Sequence, residues 1–354
     1  MKKILQLDDH KLLYHLPVLN EWSKGNKIHP ITVSVGPTRT CNFRCIFCAY
    51  SFLEKKPIFL PLDRLIAAAN EMFLRGTKSF FFSGDGEPLL NKELPNSISE
   101  LYSIGLDTAI NTNGFFLNKD VSKVIIPKMK WMRISINAGD DKAYSKIHGA
   151  PTGTLQKVFS NVSNAVEIKK SKPLDCTIGV QSLILEENLN TLHLFAHELK
   201  KIGADYFVLK PFLKHPEIKY NSSVSYSQKD VVDYLHNLEK LSDSTFKVII
   251  RWQSLEKIHQ RNYNRCLSFP FFVDIDSEGN VYPCGPQIGN SQFCYGNIIN
   301  QDWGEIWEST KKADLEDYLL TTFDCSNCMP NCRNDAVNRF LNKLRTPPAH
   351  INFI

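Results

Sequence analysis

The most informative stretch of the sequence reads Thr40-Cys41-Asn42-Phe43-Arg44-Cys45-Ile46-Phe47-Cys48-Ala49-Tyr50. Its three cysteines have the spacing C-x3-C-x2-C and follow the apolar run 31–35, which we expect to form a strand. Four thiolates would occupy every iron of a cubane iron–sulfur cluster, whereas three leave one iron open to a chelating ligand. The spacing therefore predicts a 4Fe–4S cluster held by Cys41, Cys45 and Cys48.

A structural zinc site is the alternative interpretation of these cysteines, because tetrahedral zinc also binds thiolates. Zinc sites usually pair two C-x2-C knuckles or add histidines, and neither arrangement occurs next to Cys41. The histidines, among them His148 and His215, lack ligand spacing to one another. We expect them at the surface or as hydrogen-bonded polar residues, and the spacing favours the iron–sulfur interpretation.

The composition is that of an ordinary globular protein. Of 354 residues, 43% are hydrophobic and 22% are charged, which is typical of soluble chains. The net charge of +5 is small and the lysines are scattered, which argues against nucleic-acid binding. No apolar run approaches the ~20 residues of a membrane helix. Ten cysteines without a secretory signal indicate reduced thiols and a cytoplasmic protein.

Short β-branched or aromatic runs alternate with helical patterns between residues 30 and 211. This alternation predicts six βα units on a parallel sheet. The predicted strands are residues 31–35, 78–83, 107–112, 131–137, 176–183 and 206–210. In barrel-like parallel sheets the reacting groups follow the carboxyl ends of the strands, and Cys41 comes shortly after the first strand.

Polar segments also follow the next three predicted strands. They are Ser83-Gly84-Asp85-Gly86-Glu87-Pro88, Asn111-Thr112-Asn113-Gly114 and Ser135-Ile136-Asn137-Ala138-Gly139. Glycine lets the backbone approach a ligand closely, and proline fixes the direction of the chain. Ordinary turn chemistry explains any one of these segments equally well. Their common position after strands favours a shared ligand site.

The cysteine loop, with Phe47 before its last cysteine, resembles the signature of the radical S-adenosylmethionine (radical SAM) superfamily. Residues 84–88 resemble the family's glycine-glycine-glutamate-proline motif, with Asp85 at a glycine position. The resemblance implies an α/β fold, a partial (β/α)6 TIM-like barrel, in which S-adenosylmethionine (SAM) chelates the open iron. It also implies that SAM is bound by Phe47, Gly84, Asp85, Gly86, Glu87, Pro88, Asn111, Asn113, Ser135 and Asn137.

Two further polar residues lie in the later strands. Gln181 is in the fifth predicted strand and Lys210 ends the sixth. Both are candidates for contacts with the adenine of the cofactor or with the substrate. A hydrogen-bonded polar residue inside the barrel is the alternative for each.

A second group of cysteines occupies the C-terminal part of the chain. Cys266 and Cys284 flank a predicted hairpin, and Cys325, Cys328 and Cys332 follow it. The pattern resembles the SPASM domain and the shorter twitch domain of radical SAM enzymes. After the first three thiols and Cys176, a buried strand residue by its pattern, six of ten cysteines remain, which suits one auxiliary 4Fe–4S cluster.

The resemblance implies Cys266, Cys284, Cys325 and Cys328 as the auxiliary ligands, and Cys332 as a possible replacement for one of them. A zinc ribbon is the competing interpretation, because paired cysteines on hairpins also bind zinc. The chain then divides into an N-terminal helical extension (1–30), a radical SAM core (31–212), a bridging segment (213–260) and a SPASM- or twitch-like domain (261–354).

The resemblance implies an enzyme that cleaves SAM reductively to a 5′-deoxyadenosyl radical, with an electron from flavodoxin or ferredoxin. The radical abstracts hydrogen from a small molecule, similar to a sugar or aminocyclitol, and the auxiliary cluster accepts an electron in a dehydrogenation. A peptide-modifying maturase or an epimerase is the alternative, with Cys294 and Cys332 as candidate hydrogen donors. A non-enzymatic zinc-binding module is the alternative of another class.

Overall fold

The structure, a computed structural model, describes residues 5–258 and 260–353. Within them one sheet contains ten strands: β1 (Thr32–Val35), β2 (Ser79–Phe82), β3 (Asp107–Thr112), β4 (Met129–Ser135), β5 (Thr177–Ile184), β6 (Tyr206–Pro211), β7 (Lys247–Ile250), β8 (Phe272–Ile275), β9 (Asn280–Tyr282) and β10 (Gly296–Asn297). Their order across the sheet is β10-β9-β8-β1-β2-β3-β4-β5-β6-β7. The strands from β8 to β7 pair in parallel, and β9 and β10 add antiparallel pairs at one edge.

Helices follow most of the parallel strands. The helices of the described residues are α1 (Leu16–Ser23), α2 (Leu62–Leu74), α3 (Leu94–Ile104), α4 (Lys119–Ile125), α5 (Asp141–His148), α6 (Thr154–Ser171), α7 (Leu192–Ile202), α8 (Lys229–Glu239), α9 (Trp252–Glu256), α10 (Trp303–Trp307), α11 (Thr310–Thr321) and α12 (Asp335–Arg345). The predicted α/β class with a partial barrel is confirmed. None of these helices is long and apolar enough to cross a membrane.

Alternation along the strands separates two faces of the sheet. Val33 and Val35 in β1, with Phe80 and Phe82 in β2, are fully buried in the core under the helices. The intervening residues point to the opposite face, where Thr32 and residues in register with it are polar or aromatic. We call this opposite face the inner face. Its side chains include Ser34, Ser79, Phe81, Asn111, Trp131, Arg133, Gln181, Lys210 and Asp274.

The sheet extends beyond the six predicted strands at both edges. β7 pairs with β6 inside the predicted bridging segment, and β8 pairs in parallel with β1, Thr32 opposite Phe272. A pairing across so many residues leaves no trace in local periodicity, so the sequence pattern predicted a strand at residues 246–252 and the hairpin but not the pairing of β8 with β1. The first strand is therefore an interior strand of the sheet, and the division into four segments stays a prediction.

The topology places the two groups of cysteines at opposite ends of the strands. Cys41 follows the carboxyl end of β1. Cys266 precedes the amino end of β8. Cys284 follows β9, and because β9 runs antiparallel to β8, Cys284 lies at the same end of the strands as Cys266. The inner face lies between the two cysteine groups.

Candidate active site and iron–sulfur centres

The loop that carries the first three cysteines is held against the end of α5. Backbone N–H groups of Arg44 and Ile46 donate to the carbonyls of His148 and Ile147, at 2.9 and 3.0 Å. Burial raises the pKa of all three thiols, and neighbouring Cys48 and Cys41 raise that of Cys45 further. Three thiolates so placed suit a cationic metal centre, which offsets their desolvation and mutual repulsion.

His148 is a site residue that the sequence did not reveal. It is buried rather than at the surface, with 1% of its side chain exposed. Its Nε2 accepts a hydrogen bond from the backbone N–H of Asn137 at 3.0 Å, and its Nδ1 lies 3.3 Å from Cys45 Sγ. Because Nε2 accepts, Nδ1 carries the proton and donates to the sulfur. Burial lowers the pKa of His148 to about 3, which keeps the ring neutral.

The glycine-rich segment after β2 packs directly on the chain that leads to Cys41. A Cβ atom on Gly86 would lie 2.3 Å from the Thr38 carbonyl oxygen and 2.4 Å from that of Thr40. The Glu87 N–H donates to the same Thr40 oxygen at 2.9 Å. Only glycine therefore permits this approach, which brings the segment beside the cysteine loop.

The two carboxylates of this segment bind other parts of the protein. Glu87 is buried and accepts hydrogen bonds from the Thr112 hydroxyl at 2.6 Å and the Asn113 backbone N–H at 2.7 Å. Asp85 accepts from Arg39 Nε at 3.1 Å and from the Ser277 hydroxyl at 2.6 Å. Glu87 thus joins the ends of β2 and β3, while Asp85 joins this loop to the turn between β8 and β9. Their side chains position the backbone of Gly84, Gly86 and Pro88 at the site.

The polar residues after β3 and β4 fall into two groups. Asn113 donates to the Asn42 side chain at 2.8 Å, and Asn137 accepts from the Leu183 backbone at 2.7 Å. These two amides are therefore engaged by the protein. Asn111 Oδ1 is buried and has no partner among the described residues, and the Ser135 hydroxyl contacts only the Asn137 amide, at 3.4 Å. Asn111 and Ser135 keep hydrogen-bonding capacity for a ligand, so we retain them as candidates.

The auxiliary cysteines converge in one apolar pocket. Five thiols line it, including the alternative ligand: Cys266, Cys284, Cys325, Cys328 and Cys332. Burial raises the pKa of Cys284, and Cys266, Cys332 and Cys328 raise it further. Asn338 Nδ2 also donates to Cys266 Sγ at 3.4 Å. The donor set fits a cysteine-bound cluster, with one thiol more than a cubane requires.

Cys294 lies apart from this pocket. Its Sγ donates to the Gly296 carbonyl at 3.3 Å, where β10 begins. Among the described residues, no three His, Cys, Asp or Glu side chains stand close enough to chelate one metal ion. In a cubane each thiolate binds a different iron, so its ligands lie further apart than those of a single ion.

Comparisons with known proteins agree with this arrangement. A model of the radical SAM superfamily matches residues 35–199, and a model of the SPASM iron–sulfur cluster-binding domain matches residues 266–333. The chain carries a radical SAM domain followed by a SPASM domain. These two domains imply a 4Fe–4S cluster that binds SAM and auxiliary iron–sulfur clusters, and the two cysteine groups described above supply the thiolate donors.

Proteins similar to this chain have several different named activities. An S-adenosylmethionine-dependent nucleotide dehydratase of Lacinutrix mariniflava is 32% identical over 40% of this chain, and the match spans 31% of the relative. A probable GTP 3′,8-cyclase of Methanococcus maripaludis is 26% identical over 63% of this chain and 70% of its own length. The match to SuiB of Streptococcus suis bound to the precursor peptide SuiA has a TM-score of 0.66 at 14% identity, over 86% and 71% of the chains, and supports the fold.

The inner face carries basic residues beyond those that the sequence indicated. Lys210 was a candidate, and Gln181 accepts a hydrogen bond from Arg133 Nη1 at 3.3 Å. Arg133 lies two residues before Ser135 on β4, so the period-two alternation of that strand would have identified it. Arg251 and Arg333 come from later segments, and no local pattern assigns them to this face.

Proposed function

We propose that the chain cleaves SAM reductively at the Cys41-Cys45-Cys48 centre and removes hydrogen from a small molecule held on the inner face. The auxiliary centre at Cys266, Cys284 and the C-terminal cysteines then accepts the electron, so the net reaction is a dehydrogenation. The observation that supports this proposal is the position of the inner face between the two cysteine groups.

The bound SAM and its cluster supply a 5′-deoxyadenosyl radical, and the residues of the chain place the substrate and exclude water. β4 has seven residues from Met129 to Ser135, so the two ends of this strand lie roughly 20 Å apart. A small molecule on the inner face can therefore lie near both cysteine groups. The two similar proteins, a nucleotide dehydratase and a probable GTP 3′,8-cyclase, also favour a small molecule over a peptide.

Epimerisation requires a thiol that returns hydrogen to the substrate. Cys294 is bonded to the Gly296 carbonyl at the β10 edge, and Cys332 lines the pocket with the other auxiliary thiols. Neither position favours a donor on the inner face, which supports dehydrogenation. Reaction in deuterated water tests this. A product that keeps the composition of the substrate but has gained deuterium would remove the oxidation proposal. Loss of that deuterium in Cys294→Ala or Cys332→Ala would identify the donor.

The SAM step is tested with anaerobically reconstituted protein, dithionite and SAM. We expect brown protein with roughly eight irons and release of 5′-deoxyadenosine. Cys45→Ala should abolish that release. Cys176→Ala is the matched control that should keep it, because Cys176 is buried in the hydrophobic core just before β5. Colourless protein with stoichiometric zinc and no release from the wild type would instead establish the non-enzymatic zinc module.

The auxiliary step is tested with Cys284→Ala. This variant should still release 5′-deoxyadenosine, because its first cysteine loop is intact, but it should not complete the oxidation of substrate. A Cys284→Ala enzyme that forms product at the wild-type rate would exclude electron transfer through the auxiliary centre.

A further inference from the structure

Several basic side chains meet on the inner face. Arg133 of β4 aligns with Gly179 of β5, and Gly179 aligns with Tyr206 of β6. Lys210 ends the inner face of β6, and the Arg251 N–H donates to the Leu209 carbonyl at 3.0 Å. Arg251 directly follows β7 and therefore lies beside Lys210, at the same carboxyl end of the strands as the first cysteine loop.

Arg133 is held in place by neutral partners. Its Nε donates to the Tyr206 hydroxyl at 3.2 Å, its Nη1 donates to Gln181, and its guanidinium lies 4.8 Å from the centre of the Trp131 ring. Tyr206 reaches it only because Gly179 has no side chain: a Cβ there would lie 2.0 Å from Tyr206 Cζ. Arg133 Nη2 has no hydrogen-bond partner among the described residues. The guanidinium is therefore pre-positioned without a counter-ion.

The carboxylates near this group do not balance its charge. Asp8 accepts from Arg251 Nε at 3.2 Å. The Asp274 carboxylate interacts electrostatically with Arg333, whose guanidinium lies 4.6 Å from the centre of the Phe81 ring. Lys210 has neither a hydrogen bond nor an ion pair within the described ranges. Two acidic groups thus face four basic ones.

The environment of Lys210 shows the consequence of this excess positive charge. Burial, together with the nearby Arg251 and Arg133, lowers the pKa of its ammonium to about 7. A cation that is enclosed, unpaired and beside two other cations costs free energy unless an anion joins it. Guanidinium and ammonium groups in this arrangement are suited to bind phosphate or carboxylate oxygens.

We propose that the substrate carries an anionic group, a phosphate or a carboxylate, that binds Arg133, Lys210 and Arg251 on the inner face. This inference rests on the proposed function, because it assigns the inner face to the substrate. It deepens that function by naming the charge of the substrate and the side chains that recognise it. The rest of the substrate then lies along the inner face toward Trp131.

Isothermal titration calorimetry tests the proposal on the anaerobically reconstituted protein without SAM. The probes are tripolyphosphate and citrate at equal ionic strength, which separate the phosphate source from the carboxylate source. Lys210→Met removes the charge at similar length, Lys210→Arg keeps it, and Lys229→Met removes an exposed lysine at the start of α8 as the matched control. Loss of a charge-assisted contact should weaken binding about tenfold to a hundredfold.

The expected result is that at least one probe binds the wild type, weakens in Lys210→Met and is retained in Lys210→Arg and Lys229→Met. Binding of citrate alone would assign a carboxylate, and binding of tripolyphosphate alone a phosphate. Trace acetylation followed by peptide mass spectrometry gives a second readout, because a bound anion should protect the Lys210 amine. No binding of either probe, or equal weakening in Lys229→Met, would overturn the proposal.

Failure of this inference can be told apart from failure of the proposed function. Calorimetry with these probes does not depend on SAM cleavage. Release of 5′-deoxyadenosine without anion binding would leave the enzyme assignment and remove only the anionic substrate. Anion binding without release of 5′-deoxyadenosine would leave the anion-binding site and remove the assignment as a SAM-cleaving enzyme.

Discussion

Replacing Lys210 by methionine should stabilise the folded protein near neutral pH. The folded state holds the Lys210 ammonium in an enclosed position beside Arg251 and Arg133, and its pKa falls from 10.5 to about 7. Methionine has similar length, carries no charge and packs well in irregular apolar surroundings. The variant therefore removes an electrostatic cost that the wild type carries in its folded state.

The magnitude follows from the change in pKa. Each pKa unit corresponds to about 1.4 kcal/mol, so the fall from 10.5 to about 7 has an upper limit of about 5 kcal/mol. Because Lys210 is only partly buried, we expect a gain of about 2–4 kcal/mol below pH 7. Between pH 7 and 10.5 the unfolded chain binds more protons than the folded one, so wild-type stability rises with pH. The advantage of Lys210→Met should shrink across that window.

Urea titrations followed by circular dichroism at three pH values, one below and two within the window, measure this effect. The midpoint should rise in Lys210→Met with an unchanged slope, and Lys210→Arg, which keeps the charge, should show no gain. A Lys210→Met midpoint equal to that of the wild type at the lowest pH, or a gain that does not change with pH, would refute the electrostatic account of the inner face.

Three further changes probe other parts of the site. Gly179→Ala should lower the free energy of unfolding by about 1–3 kcal/mol, because its Cβ would lie 2.0 Å from Tyr206 Cζ; an unchanged urea midpoint would contradict this. His148→Phe removes the N–H donor 3.3 Å from the Cys45 sulfur, and electron paramagnetic resonance during a redox titration should find the potential of the SAM-binding cluster lower by on the order of tens of millivolts. Iron analysis should find Cys294→Ala unchanged and Cys284→Ala with roughly half the iron, since only Cys284 of these two lines the auxiliary pocket; equal iron in both variants would disprove that assignment.

Local sequence features predicted the parts of the site that chemistry ties to short spacing. The cysteines of the C-x3-C-x2-C loop supply the ligands of one cluster, and the glycines before Glu87 permit a close backbone approach. Each set lies within a few residues of the chain, so both were visible in the sequence. The polar ends of β3 and β4 were visible for the same reason. The pattern also identified the cysteines that line the auxiliary pocket, although it did not decide whether Cys332 replaces one of Cys266, Cys284, Cys325 and Cys328.

The remaining features depend on contacts between distant segments. His148 contacts Cys45 across 103 residues, and Arg333 reaches Phe81 and Phe272 from beyond the last cysteine. Neither contact has a periodic signature, because it exists only after the sheet has closed. The positive charge of the inner face was hidden similarly, since its members come from β4, β6 and two later segments, while the overall net charge is only +5.

The parallel pairing of β8 with β1 makes the two cofactor centres parts of one scaffold. Until residues 272–275 have been synthesised, β1 presents an unpaired row of backbone groups, which is a hazard for aggregation. The cysteine loop that follows β1 thus gains its lateral support late in folding. We therefore expect that a chain ending before β8 cannot serve as a minimal SAM-cleaving unit. Exchanging the C-terminal part for that of a relative should require a matching pairing between β1 and β8 as well as matching cysteines.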